Sequence, residues 1–487
     1  MSIRRGVRSG LARLLACLLL APTLVLPGCS TLSDLGLGGG SFGGGPGAGA
    51  PGHVSGFLGG VVADEPRAAL VAREVLSAGG SAADAATALG FALAVTLPSR
   101  AGLGGGGACL AYAASAKSVN GGVPEAILFT LNPATLGGAR ADRPAAVPTL
   151  ARGLYLLHSR YGRSRFESLV APAEALARFG TPASRALARD VALVSGPLFA
   201  DPNAASVFGR GGVPIAEGQS LVQPDLATTL SQIRTAGVGD FFIGGLAGGI
   251  AQASVVVGGP VTVADLRAAL PSATPGLVSR VGHDQVAFLP PPADGGLAAA
   301  AAFRVLQANP SDVQTANLRA LAVAARWRLG HEDPEVLLRA SDLTSAGLPA
   351  LPASTSFATL DRDGNAVVCA LSMDNLFGTG RILPGLGFLL AASPVAVPPP
   401  LYAAALAWNP SIHAFRAAVG GSGQDGAPLA VAVALSNTLR AGTPMPVLVP
   451  EPGRATVIAC SRYLPGEPGS CGWAEDPREP GLAVGSN

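Results

Sequence analysis

Residues 82–97, AADAATALGFALAVTL, are small or apolar on nearly every side of a helix. A helix without a polar face must lie inside, between other layers. Ser81-Ala-Ala-Asp84 just before it has the form of a capping box, which fixes where that helix starts. The preceding DEPRAALVAREVLSAGG reads as a second helix, with acidic residues at its start and Gly79-Gly80 ending it. After the apolar helix comes Ser99-Arg-Ala-Gly-Leu-Gly-Gly-Gly-Gly107, which taken alone matches a dinucleotide fingerprint. That fingerprint needs a strand before the glycines and a helix after them. Here the order is reversed, with the strand-like ACLAYAAS following, so a nucleotide site is excluded and a tight glycine turn is expected.

Helical spacing with glycine stops continues through about 145–345, in VPTLARGLYLLHSRYG, FESLVAPAEALARFG and ANLRALAVAARWRLGH. From 354 the pattern becomes short strand-like runs, FATLD, AVVCALS, GFLLAA and AFRAAVGG, separated by Asp-Gly and Gly-x-Gly turns. Buried helices combined with such strands predict a layered α+β domain. With 487 residues, 49% of them apolar, the chain can bury a large core. A net charge of +2 gives no electrostatic case for nucleic acid. Lys117 is the sole lysine, which excludes a P-loop or a Ser-x-x-Lys hydrolase centred elsewhere.

Residues 1–29 read as a targeting segment. Arg4, Arg5, Arg8 and Arg13 precede the apolar LLACLLLAPTLVL, and Leu26-Pro-Gly-Cys29 has the form of a bacterial lipobox, with Cys29 the lipidated residue. An ordinary secretory signal with a chance cysteine is the other reading. Residues 30–54 are glycine-rich and read as a flexible tether. The expected location is the cell envelope, lipid-anchored and periplasm-facing. In such an oxidising setting Cys460 and Cys471, flanking a Pro/Gly loop, are expected to form a disulfide. Cys109 and Cys369 sit in apolar runs and are read as buried thiols. The cysteines and histidines show no metal-ligand spacing, and no metal or cofactor is expected.

Ser354, Thr355 and Ser356 form a run of hydroxyls with no histidine nearby in sequence. One chemistry dispenses with histidine. When the peptide bond before a Ser or Thr is cut, that residue's own α-amine becomes the general base for its hydroxyl. The amine's pKa of about 7.7–8.0 suits that role.

The segments VLSAGGSAADAATALGFALAV, PSRAGLGGGGACLAY, AVPTLARGLYLLHSRYG, LVQPDLATTL, LPPPADGGLAAA, STSFATLDRDGNAVVCALSMDNLFGTG and AEDPREPGLAVG occur in that order. In them the chain, from about Gly59 onward, resembles the γ-glutamyltranspeptidases, which are N-terminal-nucleophile hydrolases. The resemblance implies a four-layer αββα sandwich. It also implies self-cleavage into a large-subunit-like segment, 55–353, and a small-subunit-like segment, 354–487, which together form one globular heterodimeric unit. Aligned on Phe357, Asp361 and Asp363-Gly-Asn-Ala-Val367, the family's nucleophilic Thr falls on Ser354. Thr355 is its neighbour, and the nucleophile if the cut falls one residue later. Ser372 falls on the hydroxyl that orients the nucleophile. Gly420-Gly421-Ser422 falls on the Gly-Gly-Ser whose backbone N–H groups form the oxyanion hole, a plain strand-end turn being the other reading of those glycines. Asp374, or Asn375 with a one-residue shift, falls on the Asn that contacts the substrate.

The implied substrate is a small γ-glutamyl compound or another amide, with the acyl group passed to water or an amine. The glutamyl contacts depart from the family pattern. Phe129-Thr130-Leu131 stands where Phe-Arg-Glu holds the substrate carboxylate, GFLLAASPVAV lacks the Asp that binds the α-amine, and Tyr402-Ala-Ala-Ala405 replaces the Ser-Ser-Met region. A catalytically inactive relative with a binding or structural role is therefore the alternative.

Overall fold

The computed structural model describes residues 56–115, 117–136, 140–341, 353–478 and 480–486. These belong to one compact unit. The targeting segment, Cys29 and the tether lie outside the described residues.

The helix predicted from its apolar surface is α2, Ala82–Thr96, which follows α1, Pro66–Ser77. Every residue of α2 is buried. Its capping box is closed, with Asp84 N–H donating to Ser81 Oγ at 3.1 Å and Ser81 N–H donating to Asp84 Oδ2 at 2.9 Å. Further helices are α3 (Leu150–Tyr161), α4 (Phe166–Phe179), α5 (Arg185–Leu198), α6 (Pro202–Phe208) and α7 (Pro224–Ala236). They continue as α8 (Val238–Ile243), α9 (Gly245–Val256), α10 (Val263–Ala268), α11 (Asp294–Ala308), α12 (Val313–Gly330), α13 (Pro334–Arg339) and α14 (Ala427–Ala441).

The strands of four or more residues are β1 (Gly59–Ala63), β2 (Gly106–Tyr112), β3 (Glu125–Phe129), β4 (Ser272–Pro275), β5 (Leu277–Val281) and β6 (Asp284–Phe288). In the C-terminal part they are β7 (Ser354–Asp361), β8 (Ala366–Ser372), β9 (Ala403–Asn409), β10 (Ala414–Ser422), β11 (Arg454–Leu464), β12 (Cys471–Glu475) and β13 (Leu482–Ser486). They build two antiparallel sheets, ordered β4-β3-β2-β8-β7-β1-β13 and β5-β6-β9-β10-β11-β12.

Three apolar clusters define the layers. Val61, Ile127, Phe357 and Val367 on one face of the first sheet pack with α1 to α4. Val62, Leu110, Ala358 and Val368 on its other face meet Ala404, Leu406, Ala418 and Ile458 of the second sheet. The outer face of the second sheet, Ala405, Val419 and Val457, packs under α11, α12 and α14. The alternation of β7 feeds the first two clusters from one strand, because successive side chains point to opposite faces. The expected four-layer αββα order is the observed one.

Several local expectations change. The middle region, read as helical, also supplies β4 to β6. The region read as strands contains the fifteen-residue α14. GFLLAA makes only isolated bridges, Leu389 to Ile382, Leu390 to Gly104 and Ala392 to Ala145. Cys109 and Cys369 are not thiols but a disulfide. They stand directly opposite each other in the β2–β8 ladder, with Cα atoms 4.0 Å apart. The expected Cys460–Cys471 disulfide is present, across the β11–β12 pair.

Candidate active site

The three consecutive hydroxyls separate by face as β7 begins. Ser354 and Ser356 point between the sheets. Thr355, on the opposite face, donates its Oγ1–H to Asp64 Oδ2 at 2.9 Å, and Ser356 N–H donates to the same oxygen at 3.1 Å. Ser356 Oγ lies 3.2 Å from Thr456 Oγ1. Farther along, Thr359 Oγ1–H donates to the Ala82 carbonyl at 2.8 Å, and Ala82 N–H donates to Asp361 Oδ2 at 3.0 Å. These bonds fasten β7 to the start of α2. Asp64, which reads in sequence as part of a helix start, instead holds the beginning of β7.

Ser354 is paired across the ladder with Ser372, the last residue of β8. Ser372 Oγ–H donates to the carbonyl oxygen of Ala353 at 2.8 Å and accepts from Asp374 N–H at 2.8 Å. Met373 N–H lies 3.4 Å from the same Ala353 oxygen. Two donors thus point at the carbonyl of the peptide bond that precedes Ser354.

The Ser354 hydroxyl accepts from Gly423 N–H at 3.0 Å and, more distantly, from Gln424 N–H at 3.5 Å. The resemblance assigned an oxyanion hole to the backbone N–H groups of Gly420 and Gly421. Both of those glycines lie inside β10, in register with β9 on one side and β11 on the other, so their backbone groups belong to the sheet ladders. Gly420 serves the approach of the sheets: a side chain there would meet Thr456 Oγ1 at 2.8 Å and Ser356 Oγ at 3.1 Å. The N–H groups that reach Ser354 Oγ come from the turn just beyond the strand, where Gly423 has φ +93°.

Ser422, the last residue of β10, is buried and its Oγ has no partner. With Gly423 it lines a cavity of ≈ 270 Å³ shared with Arg100, Arg189, Asp190, Glu451 and Arg454. Arg100 grips Asp190 with two bonds, 2.8 and 2.9 Å, and Ser99 Oγ–H adds a third at 2.7 Å. Arg454 pairs with Glu451 at 2.6 Å.

Of the two alternatives next to Ser372, the structure buries Asp374 and turns Asn375 elsewhere. Asn375 Nδ2 lies 3.5 Å from the Gly378 carbonyl and lines a separate cavity with Arg143, Leu198 and Thr379. Asp374 is 1% exposed and neither carboxylate oxygen has a partner. Burial pushes its carboxyl up to about 7, against the opposing pull of Arg328. Tyr402, just before β9, also buries an unpartnered hydroxyl. Its proton is held well above the ordinary phenol range, first by burial and then by the charges of Asp374 and Asp294. Arg328 is committed to Asp294, at 3.2 Å through Nη2, and to the Pro399 carbonyl at 2.8 Å. Among the described residues no group of three or more His, Cys, Asp or Glu side chains could hold a metal ion.

Two facing antiparallel sheets between helical layers, with a serine heading a central strand at one end, define the N-terminal-nucleophile hydrolase class by fold. Comparison with solved structures agrees. The crystal structure of cephalosporin acylase from Bacillus halodurans superposes with a TM-score of 0.72 at 20% identity, covering 91% of this chain and 98% of that one. Gamma-glutamyltranspeptidase of Helicobacter pylori gives 0.51 at 24% identity, covering 59% and 90%. Among curated proteins, the glutathione hydrolase proenzyme of Escherichia coli K12 is 26% identical over 385 residues, 68% of this chain and 65% of that protein. The capsule biosynthesis protein CapD proenzyme of Bacillus anthracis is 30% identical over 198 residues, 40% of this chain and 35% of that one. The chain thus spans less than two thirds of the length of these curated relatives. The gamma-glutamyltranspeptidase family model matches residues 68–333. The chain belongs to the gamma-glutamyltranspeptidase family.

Proposed function

We propose that this protein is a self-cleaving amidohydrolase or acyltransferase whose nucleophile is Ser354. The observation that carries this reading is the Ser372 hydroxyl donating to the Ala353 carbonyl oxygen, opposite Ser354. Attack of Ser354 Oγ on the Ala353 carbonyl carbon puts negative charge on that oxygen, and Ser372 Oγ–H and Met373 N–H already face it. The Ala353–Ser354 C–N bond then breaks to leave an ester, with the Ser354 nitrogen taking a proton. Water hydrolyses the ester, giving an Ala353 carboxylate and a free Ser354 amine.

In turnover that amine accepts the proton of Ser354 Oγ as the oxygen attacks the donor's amide carbon. The Gly423 and Gln424 N–H groups stand beside the attacking oxygen, where they stabilise the new oxyanion. The donor's amine leaves with a proton, and water or a second amine takes the acyl group from Ser354. Thr355 is unsuited to this role, because its hydroxyl is on the other face and bound to Asp64.

The two pieces would remain one heterodimeric unit. Two disulfides fit an oxidising compartment, in keeping with export and an anchor at Cys29 on the periplasmic side of the envelope. A silent relative is the second reading, favoured by Thr130 standing at the family's carboxylate-binding arginine. Reducing, denaturing electrophoresis of the purified protein with N-terminal sequencing of the smaller piece tests the proposal. The expected new terminus is Ser354, lost in Ser354→Ala; a single uncut chain would select the silent relative.

A further inference from the structure

A cavity of ≈ 250 Å³ whose lining does not include Ser354 is formed by the loop after β8 and the C-terminal part of α5. Its lining divides by chemistry. Val194, Leu198, Leu376 and Phe377 are apolar, whereas Arg143, Asn375 and Thr379 carry polar groups. Helix α5 is interrupted where it lines the cavity: Val194 leaves helical geometry, with φ −122° and ψ 20°, and Pro197 brings no N–H to the last turn.

Arg143 is half-buried, and its Nη1 donates to the Thr379 carbonyl at 2.8 Å. That bond leaves most of the guanidinium's donors unused. Among the described residues Arg143 has no carboxylate partner, because the neighbouring Asp142 is held by Arg381 at 2.9 Å. The loop passes close beneath it: a side chain at Gly380, φ +73°, would meet Arg143 Nη1 at 3.1 Å. Thr379 is 5% exposed. Its N–H donates to the Leu390 carbonyl at 2.9 Å and its carbonyl is taken by Arg143, yet its Oγ1 has no partner. Native interiors rarely leave a buried hydroxyl so, and this one calls for an explanation. The Asn375 amide is little better used, at 3.5 Å from the Gly378 carbonyl. Phe377 adds a left-handed backbone, φ +60°, which is an outlier for a bulky side chain and the kind of strain that gathers at ligand sites.

We propose that this cavity binds a small monocarboxylate with a short apolar body, its carboxylate held by Arg143, Thr379 and Asn375. A guanidinium edge matches a carboxylate with two parallel hydrogen bonds. The Thr379 hydroxyl and the Asn375 amide supply further donors for the remaining lone pairs. No acidic side chain lines the cavity, so Arg143 gives it a single positive charge, which a monoanion neutralises. A phosphate dianion would bring a second charge into a partly buried site that offers no counter-ion for it. The apolar body of the ligand would lie against Val194, Leu198, Leu376 and Phe377, away from water. The site is separate from acyl transfer, and its assignment does not use Ser354 as nucleophile.

The test is isothermal titration calorimetry of the full chain near neutral pH with hexanoate, its uncharged isostere hexanamide, and inorganic phosphate. Hexanoate should bind at one site per chain, about tenfold or more tightly than either of the others. Arg143→Ala should weaken hexanoate by about tenfold or more. Thr379→Val keeps the side chain's shape and both backbone bonds, and its Oγ1 holds nothing within the protein. That variant should therefore melt no lower than the wild type while binding hexanoate about three- to tenfold more weakly, and it keeps the test open should Arg143→Ala misfold. Ser354→Ala should bind hexanoate as the wild type does. Hexanamide binding as tightly as hexanoate, phosphate binding more tightly, or wild-type affinity in a folded cavity variant overturns the inference. So does loss of binding in Ser354→Ala, which would place hexanoate at the nucleophile, and so does the lack of saturable binding up to about 10 mM hexanoate.

Discussion

If the bond before Ser354 is cut, the two pieces should remain covalently joined, because Cys109 lies upstream of the cut and Cys369 downstream. The sheet interleaves them as well. β8 of the downstream piece pairs with β2 of the upstream piece from Gly106–Ser372 to Tyr112–Ala366, and β7 pairs on its far side with β1. In the uncut chain the crosslink closes a loop across 260 positions. On the chain-entropy view that contributes about 5–6 kcal/mol by restricting the unfolded state, against about 3 kcal/mol for Cys460–Cys471 with a separation of 11. After cutting, the same bond makes re-pairing of the strands intramolecular, at an effective concentration of order mM.

The assay is denaturing electrophoresis of self-cleaved protein, its free thiols blocked at lysis, run with and without reductant. One full-length band is expected without reductant and two bands with it. The Cys109→Ala, Cys369→Ala double variant should still be cut, should give two bands under both conditions and should melt several degrees lower. Two bands from the cut wild-type protein without reductant would refute the cross-strand pairing. A single band under reduction would refute the cut itself.

Three further outcomes follow from the site. Ser372→Ala removes the donor on the Ala353 carbonyl and should slow self-cleavage about 10²–10³-fold, read from a time course of the two pieces; an unchanged rate would exclude this hydroxyl from the step. Thr355→Val should still be cut before residue 354 but lose about 1–3 kcal/mol in urea unfolding, since the Asp64 carboxylate forfeits a buried donor; loss of the cut would point to Thr355 instead. The Asp374 carboxyl is raised in the folded state, so its contribution to stability is fully present below about pH 4 and is lost as pH rises to about 7. Relative to Asp374→Asn, the wild-type protein should lose up to about 4 kcal/mol across that window, and parallel stability curves would show that the carboxylate is satisfied after all.

What could be read in the sequence had a local cause, and what could not depended on register. The buried α2 was legible because its capping box and apolar surface both lie within sixteen residues. β7 and β8 were legible from alternation and the Asp-Gly turn between them. By contrast α14 contains LAVAVAL, a run with the two-residue period of a strand, and only packing beneath the outer face of the second sheet reveals a helix. β4 to β6 are short and partly exposed between helices, so no apolar periodicity announces them. The pairing of Cys109 with Cys369 depends on how two distant strands align, which spacing cannot reveal. That the Gly423 and Gln424 N–H groups reach Ser354 Oγ depends on where β10 ends, at Ser422, which the run Gly420-Gly421-Ser422 does not announce.

The glycine run between α2 and β2 joins these levels. It was expected to be a tight glycine turn, and in the structure it makes contact with the chain around Ser372. A side chain at Gly105 would lie 2.7 Å from the Ser372 carbonyl and 3.0 Å from Met373 Sδ, so the close approach requires glycine. The Gly105 carbonyl in turn accepts from Thr149 and Leu150 N–H groups at 3.0 Å, tying in the start of α3. The loop therefore braces the end of β8 against the helical layer, where Ser372 reaches Ala353 and Asp374 is buried. The same glycines that exclude a nucleotide by the order of their flanking elements let the layered core support the end that carries Ser354. This also accounts for a buried helix with no polar face: α2 carries no chemistry, but its first turn holds Thr359 and Asp361 of β7, and β7 begins with Ser354.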